Sequence, residues 1–300
     1  FAAIVLFMPL AIYALARGNS PSNPGGWSAP EVIGCFIVAG AALAWFIAAE
    51  LRNPAPLLQI RLLAERNFGI SMAVLTLFAI GMLGGTYLLP LYMQRGLGYT
   101  ALAAGSMFLP VGVIQGVLSA VSGYLTRYVR PLLLSAAGIL VMALSFWLAS
   151  RFTRHTTHGH ILFILYLRGF GMGLTFAPLN LFSLKNLTQQ DMAAAAGISN
   201  SIKQLAGSIG IALLTVILSA RTSYHAAHET ISAAQTYVEG VTDALRVVAV
   251  ITLAALLPLL WVFRKKRPEK SGVKGAATPS PGEAVSGKTD KTTIYRTKPE

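Results

Sequence analysis

The chain has 300 residues, of which 54% are apolar and 12% are charged, and its mean hydropathy is +0.61. A soluble domain carries about a quarter charged residues, so this composition excludes a soluble globular protein and indicates helices that face lipid. The net charge of +13 fits basic loops at the cytoplasmic face of a membrane, and we expect no nucleic-acid partner.

Catalytic and metal-binding patterns are not found in the sequence. The single cysteine, Cys35, lies in an apolar run and has no second cysteine to pair with. His155, His158 and His160 lack acidic or cysteine neighbours and are interpreted as solvated loop residues rather than metal ligands. No hydrolytic, nucleophilic or metal motif appears, so we expect neither an enzyme, a cofactor nor a metal site.

The first part of the chain predicts two membrane spans and a connector. Residues 1–16 form an apolar run that is predicted to be a helix cut short at its start, and residues 32–49 form a second span. Residues 50–66 alternate Pro, Leu and charge, which predicts a short amphipathic helix on the membrane surface. Because the chain opens without an initiator Met or a basic flank, we expect it to be the C-terminal part of a longer protein.

Residues 67–131 predict a transmembrane hairpin. Each of its two apolar runs is longer than about twenty residues and has no charge, which suffices for hydrocarbon about 30 Å thick. Tyr92, Gln94, Arg95 and Tyr99 lie between the runs and are expected at a membrane surface.

The remaining apolar runs complete an all-α, polytopic transmembrane bundle with about eight spans. These runs are residues 132–149, 161–182, 197–219 and 241–263. Residues 221–240 are polar and predict a long loop. Residues 264–300 are basic and poor in apolar side chains, which predicts a disordered tail.

The distribution of basic residues predicts the orientation. If the tail is cytoplasmic, alternation also places the short loops at 50–66, 125–131 and 183–196 inside. These loops with residues 264–267 hold ten arginines and lysines, against five in the loops of the opposite side. We therefore expect a multi-pass protein of the plasma (inner) membrane with a cytoplasmic C-terminus.

Polar residues in or near spans are candidates for a substrate path. Arg168 lies about two turns into its span, where a charge is costly unless it faces the protein interior. Lys203 lies near the start of a span, and snorkelling to the interface is the alternative. The others are amphipathic or amide side chains that suit varied, often cationic ligands, with interface anchoring as the alternative. The candidate path is Arg168, Tyr87, Tyr92, Gln94, Asn180, Asn200, Lys203 and Gln204.

Glycines and prolines recur within the spans. Small residues allow close helix packing, and proline kinks a helix. The run from Gly169 to Gly173 is interpreted as packing rather than as a nucleotide fingerprint, because no strand precedes it. The predicted packing and kink positions are Pro110, Gly112, Gly116, Gly169, Gly171, Gly173, Pro178, Gly207 and Gly210.

Four segments carry a family resemblance. They read ELR at 50–52, LPLYMQ at 89–94, RGFGMG at 168–173 and NSIKQLAG at 200–207. Together they resemble the major facilitator superfamily, specifically its fourteen-helix drug:proton antiporters of the EmrB/QacA type. The resemblance makes residues 1–49 the two extra helices between bundles, the first one truncated, and residues 67–263 the six-helix C-terminal transport bundle. The N-terminal bundle is then missing.

The resemblance implies a multidrug or toxic-compound exporter that works by alternating access and is driven by protons. Its partners would be membrane lipid, small amphipathic substrates and protons, with a periplasmic adaptor and an outer-membrane channel in cells that have two membranes. We expect no membrane-buried Asp or Glu of this chain to carry the proton. The alternatives are a major facilitator that exports a metabolite, siderophore or antibiotic, and a non-transporting membrane receptor or scaffold.

The resemblance also implies a cytoplasmic gate at Gly123, Arg127 and Arg130. In the family this loop usually follows its glycine with an Asp-Arg pair and a second arginine. Here the glycine and both arginines are present, but the aspartate is not.

Overall fold

The structure is a computed structural model that describes residues 10, 13–14, 17–18, 26–52, 60–228 and 232–265. The predicted span at 1–16 and the predicted tail at 264–300 lie almost wholly outside these residues. Helix α1 (Pro30–Arg52) follows a 3-10 turn (Gly26–Ser28). The buried Ala29 and Val32 pack with Ala14 in a small cluster of their own, separate from the main core.

The main core is built by eight further helices. They are α2 (Arg66–Leu91), α3 (Ala101–Ser106), α4 (Leu109–Leu125), α5 (Pro131–Ala149), α6 (His158–Leu184), α7 (Met192–His228), α8 (Ala233–Ala254) and α9 (Leu256–Lys265). A 3-10 turn (Ile60–Ala64) precedes α2, and a π-helical turn (Tyr92–Gly96) follows it.

Six stretches of the described residues are long and apolar enough to cross a membrane. The part of α1 at Pro30–Ala42 is apolar but shorter than a span. The described residues contain no strand. The all-α transmembrane fold predicted from the sequence is therefore confirmed.

The bundle has two ends, which we name by the segments they contain. The linker end contains residues 60–66, 126–130 and 185–191, and the hairpin end contains residues 96–100 and 150–157. At the linker end, Glu65 caps α2 by accepting a hydrogen bond from the Phe68 amide at 2.7 Å, and it accepts a second from Asn186 at 3.1 Å. The start of α2 is thereby tied to the α6–α7 connection.

The prediction of a polar loop at 221–240 is wrong for the described part of that range. Helix α7 continues to His228 and α8 begins at Ala233, capped by Ser232. At 37 residues, α7 is longer than the roughly 20 residues that a span needs. Its polar last turns extend past the apolar span and pair with the start of α8.

Helix α7 also begins earlier than predicted, at Met192. Lys203 is consequently about three turns into the helix rather than near its start, and its side chain is partly exposed.

The prolines fall into two positions. Pro90 and Pro178 lie inside α2 and α6, where they interrupt the backbone hydrogen bonding. Pro110 lies in the first turn of α4, directly after a break at residues 107–108. It begins a helix, a position that proline favours, instead of kinking one.

Glycines set the closest helix contacts. A Cβ atom on Gly171 of α6 would lie 2.8 Å from the Met142 nitrogen and 2.9 Å from the Gly138 oxygen, both on α5. A Cβ atom on Gly173 would lie 2.7 Å from Leu118 Cβ on α4. Since real Cβ atoms do not approach other atoms this closely, only glycine allows α6 to pack between its two neighbours.

The second crossing joins α2 to α7. A Cβ atom on Gly210 would lie 2.6 Å from the Ile80 carbonyl oxygen, and Gly207 faces the Leu83 side chain. By contrast, no described atom lies within 4 Å of a Cβ placed on Gly112 or Gly116 of α4. Those two glycines therefore make no close helix contact within the described bundle.

We predict that Gly171→Ala destabilises the bundle and that Gly112→Ala does not. The added methyl group of the first variant meets α5 backbone, so it should lower the free energy of unfolding by about 1–3 kcal/mol. The methyl group added by Gly112→Ala meets open space, so this variant should leave the free energy of unfolding unchanged or raise it by up to about 1 kcal/mol. Thermal unfolding of the full-length protein in detergent, followed by tryptophan fluorescence, compares the two. Equal midpoints would contradict the crossing.

Candidate functional site

Arg168 is a buried charge between three helices. Its side chain on α6 is 2% exposed. One guanidinium nitrogen donates to the Met82 carbonyl oxygen at 3.2 Å and to the Thr86 hydroxyl, both on α2. The guanidinium carbon lies 5.7 Å from the centroid of the Phe146 ring on α5. The site therefore joins α2, α5 and α6.

The local sequence explains how α2 receives this arginine. Met82 and Thr86 are four residues apart, so they share one face of the helix. Gly85, between them, lets α2 approach the Phe146 ring, which a Cβ atom there would overlap. The two remaining guanidinium nitrogens of Arg168 are buried without a hydrogen-bond partner in the described part of the chain. They can still bind an acceptor.

The other predicted path residues do not form one site. Tyr87, Tyr92 and Gln94 lie toward the hairpin end, and Arg168 lies near the middle of α6. The remaining four lie toward the linker end on α6 and α7, namely Asn180, Asn200, Lys203 and Gln204. Those exposed in the linker half are Asn180, Asn200 and Gln204.

Tyr92 is a core residue rather than a surface residue. It is fully buried and stacks on Phe152 with ring centroids 4.9 Å apart. Its hydroxyl donates to the Thr153 carbonyl oxygen at 2.8 Å. Because these partners come from the loop after α5, Tyr92 fixes the hairpin end and does not line a path.

A groove lies between α2, α7 and α8 at the hairpin end, and we call it the hairpin groove. Its volume is about 360 Å³. Of the predicted residues it contains Tyr87. Two of its other walls, Thr222 and Tyr237, fall in the stretch 221–240 that was predicted to be a loop, and the groove was therefore not predicted. The walls include Leu91, Arg95, Thr215, Leu218, Thr222 and Tyr237.

A charged cluster centred on His225 joins α7 to α8 next to the groove, and we call it the His225 cluster. Nδ1 of His225 lies 3.4 Å from a Glu239 oxygen, and Nε2 lies 3.1 Å from an Asp243 oxygen. Arg246 donates to Asp243 at 2.8 Å, and Arg221 Nε lies 3.9 Å from it.

The His225 cluster places an acidic side chain within a candidate span. Asp243 belongs to the candidate span Ala233–Val262, and its side chain is only 18% exposed. Asp243 lies two residues inside the predicted span at 241–263, whereas its partner His225 lies in the stretch 221–240 that was predicted to be a loop.

The predicted gate loop at the linker end contains aromatic contacts. The guanidinium carbon of Arg127 lies 5.2 Å from the Tyr124 ring centroid. The Tyr124 and Tyr128 hydroxyls are 3.2 Å apart, and this hydrogen bond raises the pKa of Tyr128. Arg130 precedes α5 and is exposed, and Gly123 accepts a hydrogen bond from Thr126 at 2.6 Å. An aromatic face thus lies beside Arg127 in a loop that lacks the family aspartate.

The three loop histidines are exposed at the hairpin end, two of them in the first turn of α6. Among the described residues no group of three or more His, Cys, Asp or Glu side chains is arranged to hold a metal ion.

Comparison with known proteins gives the family. The model of the Major Facilitator Superfamily matches residues 1–211. The chain is 32% identical over 205 residues to the multidrug export protein EmrB of Escherichia coli K12, which covers 68% of this chain and 40% of EmrB. It is 31% identical over 278 residues to the puromycin resistance protein Pur8 of Streptomyces alboniger, which covers 90% of this chain and 54% of Pur8.

A solved structure shows the same fold. A bacterial homologue of the human lysosomal transporter Spinster, in an inward-facing and occupied conformation, superposes with a TM-score of 0.58 at 13% identity. The match covers 87% of this chain and 67% of that one. The chain spans about half the length, or less, of the curated relatives that it matches. The resemblance inferred from the sequence is confirmed, and the chain belongs to the major facilitator superfamily.

Proposed function

We propose that this chain forms the C-terminal bundle of a proton-coupled exporter of drugs or toxic compounds. The observation that carries the proposal is Arg168, a charge inside a membrane bundle with two guanidinium nitrogens free of partners in the described part of the chain. Ionisable residues at such positions mark substrate or ion pathways. The names of the relatives, a multidrug export protein and a puromycin resistance protein, support the same class.

Transport would proceed by alternating access against a second bundle. Helices α4 and α7 bury the smallest shares of their spans within this bundle. Their exposed faces include Val113 and Val117 of α4. Such faces are available to the second half of a transporter, which would rock against this half around a central cavity.

We infer an orientation in which the linker end faces the cytoplasm of a plasma (inner) membrane. The basic residues of the linker-end loops support this orientation. The gate loop and the Glu65–Asn186 contact then lie inside, and the hairpin groove and the His225 cluster lie outside. In a cell with two membranes, the hairpin end would face a periplasmic adaptor and an outer-membrane channel.

The His225 cluster is the group of this bundle that we propose to bind the driving proton. The charged and titratable groups around His225 include Glu239 and Asp243 from α8. Arg221 and Tyr224 lie on its own helix, and Arg246 is bound to Asp243. A proton on the imidazole or on either carboxylate changes the net charge where α7 meets α8. If α7 and α8 pack in two arrangements that differ in how they hold these charges, the proton stabilises one arrangement more than the other and shifts the equilibrium between them.

Energised transport tests the proposed function. Inverted membrane vesicles containing the full-length protein should accumulate a fluorescent amphipathic dye when respiration acidifies their lumen, because the protons then leave in exchange. A protonophore should abolish the accumulation. Vesicles without the protein provide the control. Dye accumulation that survives the protonophore would contradict proton coupling.

Arg168 is predicted to be required for transport. Arg168→Ala removes both the contacts to α2 and the remaining donors. We expect dye transport to fall to the level of vesicles without the protein, because a charge inside a membrane bundle marks a substrate or ion pathway. Arg151→Ala, at an exposed arginine of the hairpin end, is the matched control. The amount of folded protein is measured for each by fluorescence-detected gel filtration. Unchanged transport by the Arg168→Ala protein would show that Arg168 contributes only to helix packing.

Asp243 is predicted to couple transport to protons. Asp243→Asn keeps the shape and loses the charge that His225, Arg221 and Arg246 share. We expect dye to equilibrate down its own gradient but no longer to accumulate against it. Asp191→Asn, in the α6–α7 connection, is the control and should retain accumulation. Accumulation at the normal level by the Asp243→Asn protein would exclude the cluster as the coupling site.

A further inference from the structure

The hairpin groove exists because α2 and α7 cross closely and then separate. At the crossing, Gly210 approaches the Ile80 backbone so closely that a Cβ atom would lie 2.6 Å from its carbonyl oxygen. About three turns beyond Ile80 on α2 and about two turns beyond Gly210 on α7, toward the hairpin end, the facing side chains are large, namely Leu91 and Leu218. The glycines let the two helices touch at the crossing, and the large side chains beyond it hold them apart. The space between them is the groove of about 360 Å³.

Two hydroxyl groups lie in the walls of the groove, namely those of Tyr237 on α8 and Thr222 on α7. Both are buried, and neither forms a hydrogen bond of regular geometry within the described residues. Arg95 is the polar neighbour of the Tyr237 hydroxyl, and the Thr222 hydroxyl lies against Gly240 of α8. Leaving a buried hydroxyl unpaired is unfavourable. A ligand that bonds to either group removes that cost.

The groove is positively charged. Arg95 is the charged residue of its wall, and the guanidinium carbon lies 5.8 Å from the centroid of the Tyr237 ring. Arg95 forms no ion pair with any acid in the described part of the chain. On α8, Glu239 contacts His225, and Asp243 contacts His225, Arg221 and Arg246.

We propose that the hairpin groove binds an amphipathic organic anion. Its carboxylate or phosphate pairs with Arg95, and the hydroxyls of Tyr237 and Thr222 complete the polar contacts. The apolar part of the ligand lies along Leu91 and Leu218. A guanidinium favours anions because charge-assisted hydrogen bonds are stronger than neutral ones, and the volume lies within the range of small-molecule pockets. This groove therefore disfavours the cationic compounds expected for the substrate path.

Two sources supply this chemistry, namely a free amphipathic acid and the headgroup of an anionic lipid. That the acid is also an exported substrate rests on the proposed function, whereas its binding in the groove does not. The test uses the purified full-length protein in nanodiscs of phosphatidylcholine, with empty nanodiscs as the blank. The probes are radiolabelled dodecanoate and its cationic counterpart, dodecyltrimethylammonium.

The wild-type protein should bind dodecanoate more tightly than dodecyltrimethylammonium. Arg95→Gln should weaken dodecanoate binding by about tenfold or more, since it removes a charge-assisted contact. Arg151→Gln, at an exposed arginine outside the groove, should leave the binding unchanged. Equal affinity for the two probes, or unchanged dodecanoate binding by the Arg95→Gln protein, would overturn the proposal.

Nanodiscs containing phosphatidylglycerol distinguish the two sources. If this lipid displaces dodecanoate from the wild-type protein, the anionic headgroup is the occupant in the membrane. If it does not, the free acid is the occupant. The export proposal is tested separately. Arg95-dependent binding without energised dye transport would refute export but not the binding site. Energised dye transport without Arg95-dependent binding would refute the binding site but not export.

Discussion

The close approach of helix backbones at glycine positions is the constraint on which this bundle depends. Apolar side chains gain little by leaving lipid for a protein interior, so membrane helices associate through tight packing and interhelical hydrogen bonds. Gly171 brings α6 against α5, and Gly210 brings α7 against α2. The first contact holds the Phe146 ring beside Arg168, and the second sets where α2 and α7 begin to separate. Packing at these two crossings thus determines the position of both polar sites.

The polar sites of the bundle lie at two depths, one within the helices and one at the hairpin end. Arg168 lies within the helices, where two donors remain for an acceptor. The His225 cluster and the hairpin groove lie at one end, side by side on α7 and α8. A proton at the cluster and an anion in the groove would act on the same pair of helices. Two sites that bias one interface are coupled by necessity if that interface has two arrangements.

The sequence predicted those features that follow from the cost of burying charge. Apolar runs located the spans, and the position of Arg168 within a run predicted its burial. It did not predict the helical extension beyond Arg221, because pairing between His225 and Asp243 depends on a contact with the next helix. The burial of Tyr92 escaped prediction for the same reason, since its partner Phe152 lies sixty residues later in the chain.

Proton movement in reconstituted vesicles tests the proposed exchange most directly. Proteoliposomes with the full-length protein are loaded with an amphipathic dye and a pH-sensitive fluorophore, then diluted into dye-free buffer at the same pH. Dye leaving through an antiporter must bring protons in, so the lumen should acidify as the dye departs. A lumen that stays at constant pH while the dye leaves at the protein-dependent rate would contradict the exchange.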